Sequence, residues 1–252
     1  MGFEISKIKL SNKDKHKEIR IPSNLCTKLA ELIGILVGDG HVGRKLRPDG
    51  KSYYNRIDIC GNIRDMDHMR HIKSLFKEIF NVEMHLDIIN KKNCFVLRKQ
   101  SQAMGQFFQS IIGIPRRKSN ILVPPCIMNG NEKIKIAFLR GLADTDFCLT
   151  HRNKPNIYPV IHGTSISETL IKDCSNILEQ LGIDHCCSTE YNYYKKREKT
   201  YINHRVYING FKRVEKYMKI IGFSNPIKNE TYTEILNNRK LSTIKHTPKK
   251  FR

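Results

Sequence analysis

The sequence predicts an α+β protein made of two similar halves, each with the element order αββαββα. A short apolar helix that ends in an aspartate occurs twice, at 29–40 and again at 138–147. Each copy is followed by the same order of hairpin, amphipathic helix, hairpin and short helix. A basic, proline-bearing connector precedes the second copy. Such an internal duplication predicts two units related by a pseudo-twofold axis.

We therefore divide the chain into four segments. They are a basic lead-in at 1–21, an N-terminal half at 22–125, a C-terminal half at 126–233 and a basic tail at 234–252. The lead-in carries six Lys/Arg against three acids, and we expect a short strand or arm followed by a solvated stretch. The tail carries six Lys/Arg against one acid, which fits a flexible arm on phosphates or a frayed end.

The first repeated helix has two unusual features. Gly34 and Gly38 lie four residues apart, so they share one helix face although glycine lowers helix propensity there. Glycines on one face allow a second backbone to approach closely. Asp39 lies at the helix C-terminus, where the macrodipole already places partial negative charge, so we expect a cation to compensate it. Gly40 is expected to end the helix as a left-handed cap.

The second helix repeats this plan. Gly141, Thr145 and Asp146 occupy the positions of the two glycines and the aspartate of the first copy. The two aspartates are 146 − 39 = 107 residues apart. If the helices pack small face against small face, both carboxylates emerge at the same end. One such helix would be an ordinary core helix, but two copies favour a shared carboxylate site.

Hairpins and helices fill the rest of each half. The Pro-Asp-Gly stretch at 48–50 predicts a hairpin turn. In the strand that follows, Ile57 and Ile59 share one face and Arg56 and Asp58 the other. One face of the sheet is therefore apolar, and the other is free. The remaining predicted elements are a helix at 64–80, a hairpin at 82–99, a helix at 101–112, and their counterparts at 132–146, 147–163, 166–181, 183–209 and 210–221.

The composition points to a polyanionic partner. Lys plus Arg is 45 against 24 acids, a net charge of +21. Nucleic acid is the first candidate and a membrane surface the rival, but no apolar run approaches the ~18 residues of a membrane span, and no signal peptide precedes the first helix. The eight cysteines are scattered without a CxxC pair, and His185-Cys186-Cys187 has the wrong spacing for zinc. We expect reduced thiols in an intracellular protein, cytoplasmic or nucleoid-associated.

The two motifs, which centre on Asp39 and Asp146, resemble those of LAGLIDADG homing endonucleases in the single-chain, two-motif form. The second copy keeps Gly141 and Asp144 but has Phe147 where the family usually has glycine. The resemblance covers about 22–233 and implies the same αββαββα order. It further implies a site-specific double-strand DNA endonuclease that cleaves a long, non-palindromic target.

Catalysis is predicted at the paired aspartates. Adjacent carboxylates bind hard divalent cations through oxygen, typically Mg²⁺ or another such as Mn²⁺, which can support phosphodiester hydrolysis. The resemblance implies that the backbone carbonyls of Gly38 and Thr145 add metal ligands. It also implies that basic or polar residues near the strand ends position water, and the candidates are Asn62, Arg98, Thr164 and Arg205.

The free faces of the two sheets are predicted to form a concave saddle for double-stranded DNA. Phosphate contacts would supply affinity, and side chains on the strands would read base edges in the major groove. Because the motif helices satisfy each other within one chain, we expect a monomer. The predicted DNA contacts are Arg44, Lys45, Arg47, Lys51, Tyr54, Arg56, Arg98, Arg152, Lys154, Tyr158, Lys195, Lys196, Arg197 and Arg205.

Two other interpretations remain open at this point. One is a non-cleaving protein on the same scaffold, either a maturase that binds intron RNA or a DNA-binding regulator. The intact motif acids favour the enzyme, and no helix-turn-helix extension supports the regulator. The other is an endonuclease excised from an intein, but the chain begins with Met-Gly rather than with a nucleophilic Cys or Ser.

Overall fold

The computed structural model describes residues 2–46, 49–51, 53–89, 93–152, 158–194 and 198–245, with the backbone alone for 240–245. The N-terminal half contains α1 (Asn12–His16), α2 (Thr27–Gly38), β1 (Gly40–Leu46), β2 (Tyr53–Asn62), α3 (Met66–Phe80), β3 (His85–Ile89), β4 (Cys94–Gln100) and α4 (Gln102–Gln106). The C-terminal half contains α5 (Pro125–Met128), α6 (Glu132–Asp146), β5 (Phe147–Arg152), β6 (Tyr158–Ser165), α7 (Glu168–Gln180), β7 (Cys186–Tyr194), β8 (Lys199–Asn209), α8 (Phe211–Ile220) and α9 (Pro226–Lys245).

The predicted α+β fold with two αββαββα halves is confirmed. Each half has a four-stranded antiparallel sheet, in the orders β1-β2-β4-β3 and β5-β6-β8-β7. Ile57 and Ile59 are buried under the helices, as their shared face predicts, and Ile161 is buried at the matching place in the second sheet. Antiparallel sheets commonly bury one face and leave the other to solvent. In the part of the chain that the structure describes, no helix is long and apolar enough to cross a bilayer.

The motif helices α2 and α6 pack through their small residues. A Cβ placed on Gly34 would lie 2.1 Å from the carbonyl oxygen of Phe138, and one on Gly141 would lie 2.0 Å from that of Glu31. Real Cβ atoms do not approach carbonyl oxygens so closely, so both positions require glycine. The glycines thus set how near the two backbones lie, as the sequence predicts.

The expected left-handed cap at Gly40 is wrong. Asp39 ends α2 in a right-handed conformation, with φ −91° and ψ −1°, and Gly40 begins β1. A Cβ on Gly40 would lie 2.5 Å from the Cα of Leu36. The glycine is therefore needed because the new strand turns back closely over its own helix, and not for a positive φ.

Phe147, at the position that follows the second aspartate, fills a space that another residue fills in the first half. Its ring lies over Gly163, where a Cβ would be 2.2 Å from a ring carbon. In the first half the ring of Phe95 lies over Gly61, the counterpart of Gly163, at 2.4 Å from such a Cβ. The phenyl group over the glycine comes from β4 in the first half and from the start of β5 in the second. The space over each glycine is therefore filled in both halves.

The two terminal segments differ from expectation. The lysines of the lead-in are exposed, but the stretch contains a helix tied to the core: Ser11 caps α1, and Asp14, 1% exposed, accepts a hydrogen bond from the Ala103 amide at 3.2 Å. Ile19 is buried in the core as well. At the other end, α9 runs straight through the boundary expected at residue 233, since its helical turns continue to Lys245. Residues 246–252 of the predicted tail lie outside the described residues.

Candidate active site and nucleic-acid interface

The two motif aspartates lie together at one end of the helix pair. A Cβ placed on Gly38 would be 3.4 Å from the carboxyl carbon of Asp146 and 1.9 Å from the Thr145 hydroxyl. The second carboxylate therefore rests against the last turn of α2, beside Asp39. Asp39 is exposed and Asp146 half-buried. The structure brings together the two side chains on which the sequence prediction rests.

This proximity is visible in the acid–base behaviour of the pair. Burial and, next to it, the charge of Asp39 raise the pKa of Asp146 to about 6. The pKa of Asp39 is also raised, because densely packed atoms desolvate it although its surface is open. Two acids that oppose each other's ionisation form a site that favours positive charge.

Two lysines supply positive charge here, and sequence reasoning missed both. Lys118, on the connector between the halves, and Lys228, on the first turn of α9, each oppose the rise in the pKa of Asp39 and of Asp146. Burial lowers the pKa of both lysines, so each ammonium group is held in a partly desolvated place. The internal duplication could have indicated both lysines. The repeated Ile-Gly segments at 112–113 and 221–222 are each followed by one of them.

Lys228 also closes the end of α6. Its ammonium group donates hydrogen bonds to the carbonyl oxygens of Ala143 at 2.6 Å, Asp144 at 2.9 Å and Phe147 at 2.6 Å. A helix C-terminus leaves its last carbonyls without partners and carries partial negative charge. The cation that we expected to compensate a motif helix is thus, at α6, a lysine of the protein itself.

The residues Ser224–Lys228, here called the strap, join the two halves behind the aspartates. The amides of Ser224 and Asn225 each donate to the buried Asp144 carboxylate at 3.0 Å. The Ser224 hydroxyl donates to Glu31 at 2.7 Å, and the Asn225 amide group donates to Asp65 at 3.1 Å. One short segment therefore binds an acid from α6, an acid from α2 and an acid that precedes α3.

A cavity of about 300 Å³ adjoins this framework. Its walls include Asp39, Asp65, Lys228 and the buried ring of His68. Burial lowers the pKa of His68 to about 4, so the imidazole is neutral at physiological pH. The cavity has polar groups on its wall and is large enough for ordered water beside the exposed aspartate.

The four predicted water-positioning residues have other contacts. Asn62 accepts a hydrogen bond from the Arg64 amide at 2.9 Å and caps the turn that leads into α3. Arg98 pairs with Asp58 and Asp87 on the sheet, and Arg205 pairs with Glu190. Thr164 stands opposite Arg205 in the strand register. The positive charges that act on the aspartates thus come from Lys118 and Lys228, not from these arginines.

The donor set at the aspartates fits a hard divalent cation. Two carboxylates with raised pKa values would be relieved by a positive ion, and Mg²⁺ is typically held by one or two carboxylates together with water and substrate phosphates. Among the described residues no group of three or more histidine, cysteine, aspartate or glutamate side chains is arranged to hold a metal. A closed, all-protein metal cage is therefore absent from these residues, and an open site that shares its ligands with a phosphate agrees with the pair.

Strand register shows which predicted DNA contacts share the face opposite the helices. That face carries Lys45, Tyr54, Arg56, Arg98, Arg152, Tyr158 and Arg205. Arg44 alternates with them, shares the face of the buried Val42, and lies with its guanidinium carbon 5.2 Å from the Tyr53 ring centre, so its expected place on the free face is wrong. Lys51 lies in the turn before β2. Five predicted contacts lie outside the described residues: Arg47, Lys154, Lys195, Lys196 and Arg197.

Comparison with known proteins identifies the fold. The pattern of the LAGLIDADG-like domain matches residues 133–222. The homing endonuclease I-LtrWI, solved bound to target DNA, has the same fold with a TM-score of 0.58, at 12% identity over 88% of this chain and 93% of its own. A variant of the homing endonuclease I-DmoI, solved with its target DNA and manganese, has a TM-score of 0.54, at 18% identity over 78% and 93%.

A LAGLIDADG-like domain is therefore assigned to residues 133–222, and the fold of both halves is that of the solved homing endonucleases. Curated relatives extend the comparison. An uncharacterized protein of Methanocaldococcus jannaschii is 24% identical over 69% of this chain and 61% of its own length. The glutamine–fructose-6-phosphate aminotransferase of the same organism is 25% identical over 88% of this chain, and an A-type ATP synthase protein of Pyrococcus abyssi is 30% identical over 85%. The chain spans only 18% and 19% of those two proteins.

Proposed function

We propose that this protein is a site-specific double-strand DNA endonuclease of the homing type. The observation that carries the proposal is the meeting of Asp39 and Asp146 at the ends of two packed helices, on the axis between the two sheets. Carboxylates with raised pKa values beside two lysines suit a site that binds cations and phosphate together. A protein that only binds nucleic acid would gain nothing from two facing acids.

The protein residues have separate tasks in this proposal. A divalent cation, when bound, would activate water and stabilise the leaving oxygen of the phosphodiester. Asp39 and Asp146, with the carbonyls of Gly38 and Thr145, would hold that ion. Lys118 lies where its ammonium group can neutralise charge that develops on the scissile phosphate. Lys228 holds the end of α6 and so keeps Asp146 in place.

The saddle would supply affinity and specificity. A net charge of +21 favours a polyanion, and the affinity should fall steeply as salt rises because bound phosphates release their counterions. Two differing halves suit a target that is not a palindrome. Since α2 and α6 use their small faces on each other, we propose a monomer, which light scattering would detect as a particle of 29.4 kDa.

The curated relatives support the homing interpretation in a further way. One segment is similar in proteins whose names describe unrelated activities, so the segment cannot account for either activity. Such a distribution is expected of a sequence that moves between genes, which is what homing nucleases bring about.

The test is cleavage of a DNA library. The protein is incubated with random double-stranded DNA and Mg²⁺, and the new ends are sequenced. We expect ends at one recurrent long site, and no ends with Asp39→Asn or Asp146→Asn, because Asn keeps the shape but not the charge. If Asp39→Asn cuts as fast as the wild type, the site assignment is wrong. If the wild type binds DNA or intron RNA and never cuts, the regulator or maturase function replaces the nuclease.

A further inference from the structure

The free face of the N-terminal sheet carries an arginine held firmly by a buried acid. The Asp58 carboxylate, whose residue is 7% exposed, accepts a hydrogen bond from Arg56 Nε at 2.8 Å, and the same oxygen forms an ion pair with Arg56 Nη2 at 2.7 Å. Tyr54 interacts with the same guanidinium group. Asp58 thus holds the Nε side of Arg56 and restrains the direction of its guanidinium group.

A second arginine completes the group. Arg98 lies opposite Asp58 in the register, with Nε 3.4 Å from Asp58 Oδ1, and it also pairs with Asp87. We call these four residues, Arg56, Asp58, Arg98 and Asp87, the arginine–aspartate cluster. Two positive and two negative charges sum to zero.

The zero net charge of the cluster distinguishes it from the other basic residues of the saddle. A neutral group adds nothing to the attraction between the protein and phosphates, which depends on net charge. A buried carboxylate on a surface that meets a polyanion is costly unless it does something else. What it supplies here is orientation, because a fixed guanidinium fork matches the two acceptors, O6 and N7, that guanine shows in the major groove.

We propose that the arginine–aspartate cluster reads a guanine in the half-site bound by the N-terminal sheet, with Arg56 as the reading residue and Asp58 as its positioning residue. The inference rests on the proposed DNA-binding function and adds the base that the N-terminal half selects.

The C-terminal sheet has no such group at the matching positions. Aligning Ile59 with Ile161 through the strand registers places Tyr158, Val160 and Asn209 where Arg56, Asp58 and Arg98 stand. The C-terminal sheet has an ion pair between Arg205 and Glu190. This pair lies at a different register position, with Arg205 opposite Thr164. The guanine preference is therefore expected in one half-site and at no symmetric position in the other.

The test is selection of binding sites from a randomised DNA duplex pool, without divalent metal so that nothing is cut. The wild type should prefer guanine at one position of one half-site by roughly 10- to 100-fold. Arg56→Lys keeps the charge but not the fork, so it should lose that preference, and its affinity for the selected site should fall much more than its affinity for unrelated DNA. Asp58→Asn should weaken the same preference and raise affinity for unrelated DNA, because a negative charge is gone.

The matched control is Lys45→Gln, on the same face of the neighbouring strand β1. It should lower affinity for all sequences alike and reduce the salt slope by about 1, with base preferences unchanged. Arg56→Lys is the deciding variant because it keeps a positive charge beside the buried Asp58 carboxylate. The melting temperature of the variant is measured alongside. An unchanged guanine preference in Arg56→Lys, or a loss of affinity that is equal for all sequences, overturns the inference alone. A wild type that enriches no sequence overturns the proposed function and the inference with it.

Discussion

The two halves share one backbone plan but close their motif helices with different chemistry. α2 ends at Gly38 with no basic residue in its last turn, and Asp39 stands exposed beyond it. α6 continues through Asp146, and Lys228 covers its last carbonyls. The two carboxylates are thus inequivalent. One lies in an open place, whereas the other is half-buried with its pKa raised to about 6.

The buried acids behind the aspartates show the same division. Asp144 binds the strap from α6, whereas its counterpart on α2 is the apolar Val37. Glu31 binds the strap from α2, whereas its counterpart on α6 is the apolar Phe138. A single strap therefore uses one acid from each helix. Duplication alone would have produced two straps or none, so the asymmetry arose at the side chains after the backbone plan was set.

The largest expected effect comes from giving α6 the side chain of α2. Asp144→Val leaves the amides of Ser224 and Asn225 without their acceptor in a buried place. Each unsatisfied donor costs about 1–3 kcal/mol, so the free energy of unfolding should fall by about 3 kcal/mol. Chemical denaturation measures it. Val37→Ile, a conservative change at the matching position, is the control. A loss below about 1 kcal/mol for Asp144→Val would show that the strap does not depend on this acid.

The two lysines should separate stability from catalysis. Lys228→Met removes three hydrogen bonds from a charged donor, so we expect about 2 kcal/mol lower stability as well as slower cleavage. Lys118→Met should leave stability within about 0.5 kcal/mol, yet reduce cleavage by about 10²-fold, since one charge beside the phosphate is lost. Thermal melts and single-turnover cleavage are measured on both variants. Equal effects of the two variants on both readouts would contradict the assigned difference.

The two aspartates should also differ in how they affect stability. An acid with a raised pKa in the folded protein holds its proton when the unfolded chain has lost it, so stability falls as pH rises from about 4 to about 6. Asp146→Asn removes this loss and should raise the free energy of unfolding by about 1–2 kcal/mol at pH 7.5 without divalent metal, and by little at pH 4. Asp39→Asn, at the exposed acid, should gain less. A greater gain for Asp39→Asn would reverse the assignment of the buried site.

The smallest expected effect concerns Glu31 and His71, whose Nε2 lies 2.7 Å from the carboxylate. The hydrogen bond with Glu31 raises the pKa of His71. Burial alone would raise the pKa of Glu31, but hydrogen bonds from His71 and Ser224 outweigh it and lower that pKa. The His71 contribution to stability is complete below about pH 6.5 and is lost as pH rises through its higher folded pKa, whereas the Glu31 contribution is lost as pH falls below about 4.5.

His71→Gln should therefore reduce the free energy of unfolding by about 1 kcal/mol between pH 5 and 6.5, and by less at pH 8. Denaturation curves across this range measure the difference. Lys28→Gln, which breaks an exposed ion pair with Glu78, is the control and should change little at any pH. A difference for His71→Gln that stays constant from pH 5 to pH 8 would show that ionisation of the pair plays no part.

Much of the fold and half of the site follow from local sequence pattern. The helix α6 has the bounds that the sequence predicts, and the alternation of Arg56, Ile57, Asp58 and Ile59 correctly assigns the faces of β2. The repeated motif predicts that the two aspartates meet, because small residues on one face of each helix allow the helices to pack closely. These features depend on neighbours within a few positions or on a repeat visible in the chain.

Other features were decided only by the tertiary structure. Lys228 reaches carbonyls 81 to 85 residues earlier, Ser224 reaches Glu31 across 193 residues, and Phe147 replaces a phenyl group that the first half places on another strand. No local pattern reports such contacts, since each depends on which distant groups lack a hydrogen-bond partner or leave a space once the helices have packed. The sequence by itself determined where the carboxylates meet. The packing of the two unequal halves decided which lysines and acids surround them, because burial and unmet hydrogen bonds exist only in the assembled fold.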